Sequence, residues 1–125
     1  MENTINIAST FKTPLIDGDI NKGILKIAGK SLPEDAKAFF QPVRLWLANF
    51  YQTTASSIEV TIQLEYYNTA SSKFLVNLLL QLEKLQAQKS VVVNWIYDED
   101  DIEMQETGED FQNLIGDMIV LKANK

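Results

Sequence analysis

Residues 58–97 constrain the fold more than any other stretch of this chain. Ile58-Glu59-Val60-Thr61-Ile62-Gln63-Leu64-Glu65 alternates apolar and polar side chains, the period-two pattern of a strand with one covered face. Phe74, Leu75, Leu78, Leu79, Leu82 and Leu85 follow at helical spacing, so a helix over about residues 70–88 has an apolar stripe to bury. Val91-Val92-Val93-Asn94-Trp95-Ile96-Tyr97 is apolar at successive positions, which predicts a central strand covered on both faces. Strand, helix and strand in that order make a βαβ unit, right-handed on the usual chirality rule.

The flanking segments extend a sheet. Thr4-Ile5-Asn6-Ile7 alternates and reads as a short edge strand. Thr13-Pro14-Leu15-Ile16 reads as extended, because Pro14 biases Thr13 away from helix. Asp17-Gly18-Asp19 carries turn chemistry, and residues 23–29 read as a strand closed by Gly29, giving an N-terminal hairpin. Ser31-Leu32-Pro33-Glu34 predicts a helix start, with Ser31 as cap, Pro33 in the first turn and Glu34 complementing the dipole. Ala36, Phe39, Phe40, Val43, Leu47 and Phe50 continue that helix to about Tyr51, and Pro42 is expected to kink or split it. Phe39, Phe40, Trp46, Phe50 and Tyr51 read as core and near-core packing. An acidic helix is expected over residues 101–114, ended by Gly116 and followed by a last strand over residues 117–121. The expectation is one small α/β domain over residues 1–125, a mixed β-sheet flanked by helices on at least one face.

Composition removes whole classes of chemistry. The 125 residues, 46% hydrophobic, suffice for one core. Cysteine and histidine are absent, which excludes disulfides, thiolate nucleophiles, Cys/His zinc sites and imidazole-based triads. Met1-Glu2-Asn3-Thr4 lacks the pattern of a signal peptide, and no apolar run is long enough to span a membrane, so a cytoplasmic protein is expected. The net charge of −6 is local: residues 98–110 hold eight of the seventeen carboxylates. The remaining nine face eleven basic residues, with no basic stripe to bind nucleic acid. Arg44 is the only arginine, which argues against phosphate-rich ligand sites built from guanidinium forks.

The segment Asn68-Thr69-Ala70-Ser71-Ser72-Lys73 joins the alternating strand to the long helix. Read plainly it is an N-cap, worth about 1 kcal/mol. Read chemically it presents hydroxyls where free N–H groups and the positive dipole end favour a phosphate, with Lys73 as a partner charge. The two readings are compatible, and the second makes Thr69 a phosphorylation site with Ser71 and Ser72 as alternatives. Tyr66 and Tyr67 are adjacent, so one should face inward and the other should help form a partner surface. Residues 98–110 invite a metal reading, but they lack the Asp-x-Asp-x-Asp-Gly spacing of a calcium loop and suit a solvated face or a docking patch for a basic partner. Asp17 with Asp19, and Glu59 with Glu65, are candidate carboxylate pairs, though nothing points to a shared pocket. Gly29-Lys30-Ser31 lacks the upstream glycine of a phosphate loop.

These residues resemble the SiaC-type biofilm-regulation phosphoproteins. The resemblance rests on Thr13-Pro14, Ile27-x-Gly29-x-Ser31-x-Pro33-Glu34, and Trp46-Leu47 with Tyr51. Its core is Leu64-Glu65-Tyr66-Tyr67-Asn68-Thr69-x-Ser71-Ser72-Lys73, followed by Val93-x-Trp95-x-Tyr97 and the acidic segment from Glu103 to Asp110. That family is similar in fold to the STAS domains of anti-sigma-factor antagonists. The resemblance implies a non-enzymatic switch without a cofactor. Thr69 would be modified by a serine/threonine protein kinase and restored by a PP2C-type phosphatase. The unphosphorylated form would bind a diguanylate cyclase and promote cyclic-di-GMP synthesis, through Tyr67, Asn68, Thr69, Ser71, Ser72 and Lys73. An anti-sigma-factor antagonist aimed at an anti-sigma or kinase partner is the alternative, and an acidic metal- or small-molecule-binding protein is a further one. Two positions depart from the family's usual pattern: Tyr67 stands where phenylalanine is common, and Ala70 where serine is common.

Overall fold

The computed structural model describes residues 3–125; Met1 and Glu2, part of the stretch read for a signal peptide, lie outside the described residues. Six strands form one sheet in chain order: β1 (Thr4–Ile7), β2 (Leu15–Asp19), β3 (Ile24–Ser31), β4 (Ser57–Tyr67), β5 (Ser90–Asp98) and β6 (Ile119–Asn124). β1, β2 and β3 pair antiparallel, and β3 through β6 pair parallel. The parallel pairs are joined by α1 (Ala36–Gln52), α2 (Thr69–Leu85) and α3 (Ile102–Ile115).

The strand order never reverses, so right-handed crossovers place all three helices on the same face. The core lies between that face and the helices. Ile58, Val60, Ile62 and Leu64 of β4 are buried against Leu75, Leu78, Leu79 and Leu82 of α2 and the apolar stripe of α1. The other face carries no helix, which corrects the expectation of a strand covered on both sides. Val92 of β5 is exposed there, and Asn94, although buried, donates its side-chain N–H to the exposed Glu59 carboxylate at 2.7 Å. Valine suits that position because a β-branched side chain fits an extended backbone whether or not it is covered.

Three local expectations are corrected. Asp17-Gly18-Asp19 lies within β2, because Trp46 of α1 packs directly on Gly18, where a Cβ would sit 2.9 Å from the indole. The turn falls at residues 20–23, with Gly23 at φ +66° and the Asp19 carboxylate accepting from the Asn21 N–H at 2.9 Å. Ser31 ends β3 instead of capping α1; the cap is Asp35, which accepts from the Ala38 N–H at 3.1 Å. Pro42 does not split α1, which runs unbroken over 17 residues. The carbonyl that Pro42 leaves without an intrahelical donor belongs to Ala38, and both residues are exposed, so that carbonyl is open to solvent.

α3 is acidic outside and apolar inside: Glu103, Glu106, Glu109 and Asp110 are exposed, while Met104, Gly108 and Phe111 are buried. Trp95 of β5 explains this packing. Its indole N–H donates to the Met104 carbonyl at 2.9 Å, and Phe111 meets the ring edge-on at 5.3 Å. Gly108 lies flush against the same ring, leaving no room for a methyl group. Gly108→Ala should therefore destabilise the protein by about 1–3 kcal/mol despite alanine's better helix propensity. Urea unfolding followed by tryptophan fluorescence measures this; unchanged stability would mean that α3 shifts freely on the sheet.

Candidate functional site

β4 ends with a register irregularity that shapes the site. Gly29, at φ +110°, pairs with Leu64, and Lys30 pairs with Tyr66, so Glu65 is an extra residue on β4. An extra residue reverses the in-out alternation beyond it. Tyr66, in phase with the buried Leu64, would otherwise point into the core; instead it is 61% exposed. Tyr67 turns towards α3 and is half-buried, its hydroxyl donating to Thr107 Oγ1 at 3.4 Å. One tyrosine faces in and one out, as expected, and the outward one is Tyr66.

Asn68 then closes the strand and opens α2. Its extended backbone (φ −92°, ψ 174°) lets the side-chain oxygen accept from the Ser71 N–H at 2.9 Å. The same side chain donates to the Pro33 carbonyl at 3.2 Å, and its backbone N–H donates to the Ser31 carbonyl at 3.0 Å. Ser71 adds two further hydrogen bonds to Ser31. Its hydroxyl donates to the Ser31 carbonyl at 3.1 Å and lies 2.7 Å from the Ser31 hydroxyl, which must then be the donor between the two. Residues 31–33 are thus fastened to the first turn of α2 by side chains as well as backbone.

This fastening separates the three candidate hydroxyls. Ser71 is 0% exposed, Ser72 is half-buried and Thr69 is exposed. The sequence expectation that all three are presented is corrected at Ser71, which is held inside by Ser31. Lys73, one turn into α2, is exposed beside Thr69's face of the helix. Ser31 and Pro33 were not legible as site residues, because their contacts are with a segment some forty positions away.

Two depressions flank the segment. One, of about 420 Å³, lies between the end of β4 and the start of α3, and is lined by Tyr66 and Tyr67 with Glu65, Asp101 and Glu103. The other, of about 730 Å³, lies between α1 and α2; Phe40, Phe74 and Leu78 form its apolar part, with Lys37, Arg44 and Lys73 around them. Tyr67 lines the first and Ala70 the second, with Asn68 and Thr69 between them in the chain. Asp101 is partly committed already, as the N-cap of α3 accepting from Met104 N–H at 3.0 Å. No three carboxylates converge as a metal cluster among the described residues, and no helix among them is long and apolar enough to cross a membrane.

The cap and the expected acceptor can be told apart by stability. Asn68→Ala should cost about 1–2 kcal/mol, since it removes the cap and the tie to Pro33. Thr69→Ala, at an exposed position, should stay within about 0.5 kcal/mol of the parent. Urea midpoints of the two variants check this; equal losses would place Thr69 in the structural joint.

Residues 7–123 match the family described as SiaC family regulatory phosphoprotein. An uncharacterized protein of Pseudomonas aeruginosa (strain UCBPP-PA14) is 32% identical over 109 residues, 86% of each chain. The crystal structure of apo-SiaC from Pseudomonas aeruginosa superposes with a TM-score of 0.90 at 29% identity, covering 98% of this chain and 100% of that one. A chain in the crystal structure of the diguanylate cyclase SiaD in complex with its activator SiaC, from the same organism, superposes with a TM-score of 0.91 at 30% identity. It covers 96% of this chain and 99% of that one.

Proposed function

This chain belongs to the SiaC family of regulatory phosphoproteins, and from that premise we propose that it is a phosphorylation-controlled activator of a diguanylate cyclase, with no catalysis of its own. The observation that carries the reading is the placement of Thr69. It is the exposed hydroxyl of the segment, on a cap already organised by Asn68, with its neighbour Ser71 locked inside. A cytoplasmic serine/threonine kinase transfers the γ-phosphoryl group of ATP to Thr69 Oγ1, and a PP2C-type phosphatase removes it.

The unmodified surface binds the cyclase and the phosphorylated one does not. Phosphate adds about −1.5 to −2 charges at the first position of α2. A loss of about 3 kcal/mol in a contact at that place is roughly a hundredfold in affinity, which suffices for a switch. Nothing in this scheme requires a change of fold.

The test joins site and consequence. After incubation with the cognate kinase and ATP, fragment mass spectrometry should find one phosphate, on Thr69, and none in the Thr69→Ala protein. The unmodified protein and Thr69→Ala should both raise cyclic-di-GMP formation by the cyclase of the same cells, and the phosphoprotein should not. Phosphate on Ser72 alone, or full stimulation by the phosphoprotein, would contradict the proposal.

A further inference from the structure

We propose that the buried hydroxyl pair Ser31–Ser71 is a specificity device: it fixes where α2 starts and so makes Thr69, and no neighbouring hydroxyl, the acceptor of the phosphate. The inference rests on the functional reading above and adds to it the residues that position the acceptor. Neither serine touches the reacting atoms; both act through the backbone that carries Thr69.

Local sequence leaves the start of α2 ambiguous. Asn68, Thr69, Ser71 and Ser72 are all residue types that cap helices well, and each would begin the helix at a different residue. Each start brings a different hydroxyl to the junction between extended chain and helix. In the folded protein the cap is Asn68, whose side-chain oxygen accepts from the Ser71 N–H at 2.9 Å. Ser71 is withdrawn from the competition. Its hydroxyl donates to the Ser31 carbonyl at 3.1 Å and accepts from the Ser31 hydroxyl at 2.7 Å.

The pair sits where an apolar contact would be expected. Ser71 opens the inward stripe of α2, which continues through Leu75, Leu78, Leu82 and Leu85 at alternating spacings of four and three. It is 0% exposed, and its partner Ser31, 40 positions earlier in the chain, is 1% exposed. Apolar contacts tolerate a small slip or rotation of a helix, whereas a buried hydroxyl left unpaired is costly, so a matched pair selects a single register. With that register set, Ser71 points inward, Ser72 is half-buried and Thr69 is exposed.

Phosphoryl transfer depends on such placement. The bond from Thr69 Oγ1 to the γ-phosphorus forms as the bond from that phosphorus to the oxygen leaving with ADP breaks, and the hydroxyl proton passes to a base of the kinase. The attacking and leaving oxygens must lie roughly in line, and a misplacement of about 1 Å can cost about a hundredfold in rate. A loosened first turn would therefore slow the step at Thr69 and let Ser72 compete.

The experiment measures kcat and KM of the cognate kinase for the full chain with ATP, and maps the phosphate by fragment mass spectrometry. The test variant combines Ser31→Ala with Ser71→Ala, which removes both hydroxyls and keeps the backbone bond from the Asn68 N–H to the Ser31 carbonyl. Replacing both partners together leaves no orphaned hydroxyl, so the melting temperature should stay close to the parent's. The kcat should nevertheless fall by about tenfold, with KM within about threefold of the parent's, and phosphate should divide between Thr69 and Ser72. If the double variant does not fold, Ser31→Ala alone carries the same test. Its kcat should fall by about threefold, since Ser71 keeps its bond to the Ser31 carbonyl. Phosphorylation of the folded variants on Thr69 alone, at the parent's kcat, would overturn the proposal and leave the pair as core packing. Absence of phosphate from the parent chain would overturn the functional reading itself, a result distinct from lost specificity in the variants.

Discussion

The tie between the end of β3 and the first turn of α2 sets the geometry on which the rest of the site depends. Ser31 offers a carbonyl to the Asn68 N–H and to the Ser71 hydroxyl, and its own hydroxyl to Ser71, all in a place closed to water. Buried polar groups are costly when unpaired, and here each has a partner; among the described residues no buried side-chain polar atom lacks one. The result is a helix start whose backbone is fixed before any partner arrives. Thr69 is carried on that start, exposed but not free to wander.

The sheet explains why so much converges at one end. Crossovers that always advance in the same direction put α1, α2 and α3 side by side, with their first turns at the carboxyl ends of the parallel strands. The extra residue at Glu65 lengthens β4 there and turns Tyr66 out and Tyr67 towards α3. The segment from Asn68 to Lys73 is left between an acidic hollow and a groove of mixed charge, so a phosphate added to Thr69, as proposed, would act on fields already in place.

Much of this was legible because it is local. The alternation of β4, the leucine stripe of α2 and the acidic face of α3 are periodic, and each element formed where its pattern lies. What failed was set by distant contacts. Asp17-Gly18-Asp19 has turn residues, yet it is strand because Trp46, far along the chain, packs on Gly18. Ser31 has the chemistry of a cap, yet β3 continues through its irregularity at Gly29 and delivers Ser31 to Ser71. The three hydroxyls looked alike in sequence, and only that long-range contact separates the buried Ser71 from the exposed Thr69. The depression between α1 and α2 left no local signal at all, since Lys37 and Arg44 of α1 come together with Lys73 of α2 only after the crossover is closed.

The proposed phosphorylation changes the charge of a preformed surface and does not unfasten the helix. Hydrogen exchange of the unmodified and phosphorylated proteins, read at the amides of Asn68, Ser71 and Ser72, tests this most directly. The account predicts equal protection in both forms, because the ties to Ser31 and Pro33 lie beneath Thr69 and do not use its hydroxyl. Exchange faster by about tenfold or more at those amides in the phosphoprotein would contradict it, since it would mean that the phosphate acts by releasing the joint.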